Sequence, residues 1–340
     1  MDFDIVLEPD LTPGQFAELA VAAERYGIRA LWASNYPDCW DAFLSLTPAA
    51  EATQRLLLGP LAISPFEMHP LKIANAILTF NEMCAGRAII AIGAGEGITD
   101  AIAVQKPKRL VRAVREAVEI VMGAAKGTLG SGYPGEIFQL TKPFRHAWAS
   151  AASPQVYTAS MGPQMIRMGA RIADGMQLGD MPIEKMDEVM ENVRAGWAKR
   201  EQPAASVRLG NFFGWHIKRD KQAAYREARR EIVWRGRKLH YEFISHFLDD
   251  EQCERVRENF PAFVEAWLDR SGNIQGVPDE IVKPLIHGMT ATGDLDDLDR
   301  EIERFRQFET AGLTEIALRL YDDPMEALKI IGERIVPALQ

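Results

Sequence analysis

The sequence predicts an α/β fold, a (β/α)8 TIM barrel with insertions, and three observations carry the prediction. Short apolar runs alternate with helical periods along all 340 residues, the runs are continuous instead of alternating, and glycine-bearing loops follow several of them. A continuous apolar run is what a strand covered on both faces needs, because neither side of a parallel sheet meets water. A barrel of this kind typically takes about 250 residues, so the chain has room for added segments.

Taken in order, residues 3–7 read as the first strand, 15–26 as a helix, 30–33 as the second strand and 56–64 as the third. A helix over 70–83 leads to the fourth strand at 88–93, and a strongly amphipathic helix follows over 108–125. Residues 126–147 are glycine-rich, end in a hairpin pattern and read as one insertion. The fifth strand is 155–159 with a helix from about Pro163, the sixth 175–178 with a helix over 183–199, the seventh 208–217 and the eighth 315–320. A helix over 295–308 feeds the last strand. Residues 221–292 are too long for one crossover and read as a helical insertion that leaves from the barrel mouth, as a cap or a dimerisation element. The whole chain, 1–340, reads as a single domain.

Composition narrows the partners. A net charge of −9 argues against nucleic acid or an anionic membrane. Cys39, Cys84 and Cys253 have no paired spacing, which fits a reduced cytoplasmic chain without a disulfide framework or zinc site. The N-terminus lacks the basic and apolar regions of a signal peptide, and no apolar run is long enough to span a bilayer. No metal is expected, since the six histidines form no H-x-x-x-H pair, and no G-x-S-x-G nucleophile elbow is present. The basic run Arg226, Arg229, Arg230, Arg235, Arg237 and Lys238 reads as a solvated helix face among acidic residues.

Two loops carry candidate chemistry by their residues alone. After the fourth strand, Gly93, Gly95 and Gly97 surround Glu96, which lets backbone N–H groups approach a ligand beside one carboxylate. Their spacing does not meet the dinucleotide fingerprint G-x-G-x-x-G. After the fifth strand, Ala159-Ser160-Met161-Gly162-Pro163 opens a helix with free N–H groups, a glycine and a proline that costs no needed donor, which suits a phosphate. An ordinary serine N-cap predicts the same serine and proline.

Five segments, ALWASNYPDCW (30–40), LLLGPLAISPFEMHP (56–70), AGRAIIAIGAGEG (85–97), PQVYTASMGPQMIRMGARIADGMQLG (154–179) and AGLTEIALRLY (311–321), resemble the bacterial-luciferase-like superfamily. Within it the chain is similar to the branch that uses the deazaflavin coenzyme F-420, which includes methylenetetrahydromethanopterin reductases and sugar-phosphate dehydrogenases. The resemblance implies an oxidoreductase that moves a hydride between F-420 and a small organic substrate. An FMN-dependent monooxygenase of the same fold is the alternative, and a barrel that binds flavin without turnover is a third reading. It further implies a homodimer formed through helices near the second and third strands.

The resemblance also distributes roles. Glu96, Tyr36 and Trp40 become the catalytic candidates: Glu96 or Tyr36 handles the accompanying proton, a task suited to a carboxyl whose pKa is raised by desolvation. Asn35, Tyr36 and Trp40 stand where the sugar-phosphate dehydrogenases carry an acidic residue, a histidine and a tryptophan. A phenol donates a hydrogen bond at pH 7 and is a poor base, so the sugar-phosphate activity is not expected here. Asn35 keeps a polar contact to the ring and Trp40 stacks on or walls off the substrate. A non-prolyl cis peptide is implied at Leu61-Ala62, with Ser64 a hydroxyl contact. Gly95 and the segment Ala159, Ser160, Met161, Gly162 and Pro163 are implied cofactor contacts, and Phe66 and Trp215 implied substrate contacts. Met161 stands where relatives often have a small polar residue.

Overall fold

The computed structural model describes residues 1–95, 98–201 and 207–339. Eleven strands are present among them: β1 (Asp2–Leu7), β2 (Ala30–Ser34), β3 (Leu57–Leu61), β4 (Ile89–Ile92), β5 (Tyr133–Pro134), β6 (Gln139–Leu140), β7 (Gln155–Ala159), β8 (Gly175–Gly179), β9 (Arg208–Ile217), β10 (Thr290–Gly293) and β11 (Glu315–Arg319). The main sheet runs β3-β2-β1-β11-β9-β8-β7-β4, with β10 paired to β9. Its pairs are parallel, and isolated bridges Leu58↔Ala88 and Ile63↔Ile92 join β3 to β4 and close the ring. All eight expected barrel strands are therefore present. The expected third strand over 56–64 is shorter as a ladder, because beyond Leu61 only the single bridge at Ile63 continues it.

The alternation within each strand sorts residues between two cores. Phe3, Ile5, Leu31, Leu58, Ile90, Val156, Met176, Leu209, Phe213, Ile316 and Leu318 point outward into one large cluster under the helices. Val6, Ala30, Trp32, Ile89, Ala91, Tyr157 and Ala317 fill the barrel itself, with Leu57, Leu61, Ala62 and Phe212 against them. Small residues on several strands leave room for the two large rings, Trp32 and Tyr157, whose centroids lie 5.7 Å apart. At Gly59 any Cβ would fall 1.5 Å from the Ile89 carbonyl oxygen, so only glycine lets β3 approach β4 here.

The floor of the barrel, at the N-terminal ends of the strands, holds a buried ionic network. Arg29 donates to both carboxylate oxygens of Asp4, at 2.9 Å from Nε, and to Glu315 at 3.3 Å. The Trp32 indole donates to Asp4 at 2.9 Å, the Tyr157 hydroxyl to Glu315 at 3.1 Å, and Arg208 Nε to the other Glu315 oxygen at 3.0 Å. Burial, with the Glu315 carboxylate nearby, outweighs Arg29 and pushes the Asp4 carboxyl up to about 6.

Residues 126–147 and 221–292, the two expected insertions, have structure of their own. Within 126–147, β5 and β6 pair antiparallel, and Phe138 lies 6.2 Å from the Phe66 ring, centroid to centroid. The 221–292 segment carries helices Lys221–Glu231, Asp250–Glu258, Phe260–Leu268 and Asp279–Met289 around a separate core that includes Ile232, Phe263, Val282 and Leu285. It is not wholly helical, because β10 forms at its end and extends the parallel ladder of β9 with Thr290 opposite Gly214. The alternating TATG pattern is too short and too polar to stand out as a strand in sequence.

Candidate active site

The C-terminal ends of β3, β4 and β7 converge. A Cβ added at Gly93 would lie 3.1 Å from the Ala159 Cβ and 3.6 Å from that of Ala62, so three strand ends meet in one small-residue patch. The Leu61-Ala62 peptide is cis. Asn35, at the end of β2, donates from its amide to the Ala62 carbonyl at 3.2 Å and to Glu67 Oε1 at 2.9 Å. That same Glu67 oxygen accepts from the Ser64 backbone N–H at 2.6 Å. Burial raises the Glu67 pKa, while the bonds from Ser64 and Asn35 work against the rise. Glu67 was not among the sequence candidates, although Ser64 and Glu67 have the S-x-x-E spacing of a reciprocal cap. A half-buried carboxyl thus ties two loops of the mouth together.

Ser64 and Gly95 lie side by side. Gly95 has φ +72°, and an added Cβ would sit 2.6 Å from Ser64 Oγ and 2.7 Å from Thr99 Cγ2. Ser64 Oγ accepts from the Phe66 N–H at 3.2 Å and the side chain is buried, so its hydroxyl supports the local turn. The Gly95 carbonyl accepts from Lys106 Nζ. Glu96, the expected proton-handling group, lies outside the described residues.

At the fifth-strand loop the serine faces inward. Ser160 is fully buried, with its hydroxyl 2.9 Å from that of Thr158 and its backbone N–H donating to Gln177 O, so it neither caps the helix nor faces the loop's open side. The N-cap of helix Pro163–Ile172 is Gly162, which makes no side-chain capping bond and has nothing within 4 Å of where a Cβ would stand. The helix N-terminus is left uncapped beside open space, which is the physical requirement for an anion. Pro163 is exposed, and Met161 leans over Gly179 on β8, within 3.2 Å of an added Cβ there. Next to Ala159 in the ladder, Gln177 is buried with both amide atoms unpartnered among the described residues. Sequence reading missed Gln177, since a glutamine within GMQLG carries no motif.

The opposite side of the mouth is built from arginines and aromatic rings. Arg319, the last residue of β11, pairs through Nε with Glu8 and donates from a terminal nitrogen to the Tyr36 hydroxyl at 3.1 Å. Its guanidinium lies 5.7, 5.5 and 5.4 Å from the ring centroids of Tyr36, Phe212 and Tyr321. Arg235, from the 221–292 insertion, donates to Asp180 at 2.8 Å and to the Tyr321 hydroxyl, and lies 5.2 Å from the Phe212 ring. His216 stacks on Tyr321 at 4.8 Å and shares a 2.9 Å bond with Glu227, and burial holds its pKa below the ordinary histidine value. The expected solvated basic face is therefore corrected: Arg235 is 1% exposed and Arg230 is buried on a Glu231–Asp322 pair. Composition shows the charges of such a run but not which of them the tertiary fold turns inward.

Tyr36 is 40% and Trp40 50% exposed, and Phe66 is half-buried, so three expected site rings reach the solvent side of the mouth. Trp215 does not. It is 1% exposed in the outer cluster beneath the helices, because the register of β9 sends Phe212, Gly214 and His216 inward and Trp215 outward. A slip of one residue decides the face, and β9, with large rings at Phe212 and Phe213 on opposite faces, does not announce which face is the barrel's.

Among the described residues no helix is long and apolar enough to cross a membrane, and no group of His, Cys, Asp or Glu is arranged to hold a metal. The family of luciferase-like monooxygenases matches residues 1–316. The chain is 27% identical over 344 residues to 5,10-methylenetetrahydromethanopterin reductase of Archaeoglobus fulgidus, covering 100% of both proteins. It is 24% identical to an F-420-dependent glucose-6-phosphate dehydrogenase of Nakamurella multipartita, over 96% of this chain and 93% of the relative. The fold is shared with the coenzyme F-420-dependent tetrahydromethanopterin reductase of Methanopyrus kandleri, with TM-score 0.82 and 21% identity over 100% of this chain and 99% of that one. An FMN-bound Baeyer-Villiger monooxygenase component from Pseudomonas putida aligns with TM-score 0.67 and 16% identity over 100% and 99%. With its closed eight-stranded parallel ring, its strand-end site and a family match over most of its length, the chain belongs to the luciferase-like monooxygenase family of TIM-barrel proteins.

Proposed function

We propose that this protein is a coenzyme F-420-dependent oxidoreductase acting on a small organic substrate at the C-terminal end of the barrel. The observation that carries the proposal is the uncapped helix at Gly162 beside the unpartnered amide of Gln177, on the same side as the Ala62–Gly93–Ala159 patch. These features fit the coenzyme. Its phosphate suits the helix N-terminus, and the polar edge of its ring suits an amide with one donor and one acceptor side. When bound, F-420 supplies two-electron hydride chemistry. Asn35 and Glu67 hold the third-strand loop in place, Gly95 allows close backbone approach, and Trp40 and Phe66 screen the site from water. Glu96 holds or delivers the accompanying proton. A relative named as an F-420-dependent glucose-6-phosphate dehydrogenase matches the chain nearly end to end, which favours this reading over FMN-dependent oxygenation. The protein acts as a homodimer in the cytoplasm.

Parallel titrations with oxidised F-420 and with FMN test the assignment. Tight F-420 binding with weak FMN binding is the expected result, and FMN binding alone, above all of its reduced form, would turn the enzyme into an oxygenase.

A further inference from the structure

The arginine side of the mouth is not accounted for by the coenzyme, whose features lie at the ends of β3, β4 and β7. There the barrel carries two guanidinium groups, Arg319 and Arg235, on the shared rings Phe212 and Tyr321. Arg319 spends Nε on Glu8 and one terminal nitrogen on Tyr36. Its other terminal nitrogen has no partner among the described residues. Because the Tyr36 oxygen accepts from Arg319, the phenol's own proton is free to point away from the arginine, and the ring is exposed in the mouth. Two donors therefore stand side by side at the mouth: the charged one, Arg319, is 8% exposed and lies beneath the 40% exposed Tyr36. Arginine forks of this kind recognise planar oxygen groups.

The backbone is arranged to keep that surface rigid. Gly236, Arg237, Lys238 and Leu239 have φ of +49°, +49°, +62° and +57°, four left-handed residues in a row immediately after Arg235. Each of the three that are not glycine costs roughly 1–2 kcal/mol in this conformation. Strain of this size persists only where the surroundings hold it, and it clusters at functional sites. Here the turn delivers Arg235 into the barrel, where Asp180 and Tyr321 hold it. Arg235 in turn packs behind the Phe212 and Tyr321 rings on which Arg319 lies.

We infer that Arg319 and Tyr36 form the subsite for an sp2 oxygen of the substrate, a carbonyl or a carboxylate, and that Arg235 is its positioning residue. The inference rests on the proposed oxidoreductase reading only in taking the barrel mouth as the place where substrate binds. Rings of Tyr36, Trp40 and Phe66 at the mouth suit an apolar body attached to that oxygen.

Ligand-observed NMR titrations of the coenzyme-free protein with benzoate and with acetophenone test this without any turnover. Saturable binding of at least one probe is expected, weakened about tenfold by Tyr36→Phe, which removes one hydroxyl from an exposed ring, and at least as much by Arg319→Lys, which keeps the charge and loses the fork. Preference for benzoate identifies a carboxylate substrate and preference for acetophenone a carbonyl one. Arg235→Lys should weaken the preferred probe while thermal stability of Tyr36→Phe stays that of the unmodified protein. Absence of saturable binding to either probe, or equal affinity in the unmodified protein and both subsite variants, would overturn the inference. The coenzyme titration is independent: probe binding with failed F-420 binding would sink the coenzyme assignment and leave the subsite standing.

Discussion

Floor and mouth of this barrel are built from the same materials on the same strands, and they differ in whether the polar groups are finished. On the floor, β1 supplies Asp4 and β11 supplies Glu315, and Arg29, Arg208, Trp32 and Tyr157 satisfy them. No buried polar atom of that group lacks a partner among the described residues. At the mouth, Glu8 follows β1 and Arg319 ends β11, again with a tyrosine and a second arginine, yet Arg235 Nε, His216 Nε2 and the Gln177 amide are buried without partners among the described residues. An unpaired buried polar group costs free energy that folding alone has no reason to retain. The floor is complete within the fold, whereas the mouth keeps several groups that a ligand can satisfy; single unpartnered atoms also occur away from it, at Trp197 and Trp215.

The comparison breaks most visibly if the floor is opened. Arg29→Met leaves Asp4 and Glu315 buried without their main cation and should cost about 3–5 kcal/mol of stability, read by denaturant unfolding. The folded fraction should bind coenzyme normally. An unchanged midpoint would mean that the floor is not structural in the sense argued. At the mouth the converse holds: Glu96→Gln should lower kcat about a hundredfold with coenzyme affinity and unfolding midpoint almost unchanged. Equal loss of affinity would reassign Glu96 to binding.

A smaller effect sharpens the contrast. Gly162 has allowed φ for any residue and open space at its Cβ, so the Cβ of Gly162→Val meets no protein atom within 4 Å. Loss of the glycine N-cap should cost about 1 kcal/mol of unfolding free energy, while F-420 affinity measured on the folded protein falls about tenfold, and normal affinity would remove the phosphate assignment. A last expected signal is in pH. Asp4 titrates at about 6 in the fold against 3.8 as the ordinary value, so its neutral form is the one the fold favours. Its contribution is full below about 4 and is lost as pH rises through 6. Measured against Asp4→Asn, which does not titrate, relative stability should decline between pH 4 and 6 and level off above; a flat difference would show that Arg29 keeps Asp4 ionised throughout.

Much of the architecture was legible beforehand because buried parallel strands announce themselves as apolar runs and amphipathic helices by their period. The helix over 70–83 and the strands 155–159 and 208–217 are found where the pattern put them. Glycines were legible in part: Gly95 and Gly162 were marked by their loops, and the structure shows one tight against Ser64 and the other open. Orientation was not legible. Ser160 turns into the core, Trp215 faces the helices, and Arg235 is buried far from the solvated face its charge suggested. Glu67 and Gln177 enter the site through partners contributed by other strands.

By itself the sequence determined the number and order of the barrel strands, the exclusion of a zinc or hydrolase motif, and the family to which the chain belongs. Those properties rest on local periodicity, spacing and short motifs, each contained within a few residues. Tertiary structure alone decided which side of each strand faces the barrel, which arginines are buried, and which polar atoms remain unpartnered at the mouth. Those properties depend on register and on groups far apart in the chain: Arg319 lies 283 positions from Tyr36, and only the pairing of the last barrel strand with the first brings them together.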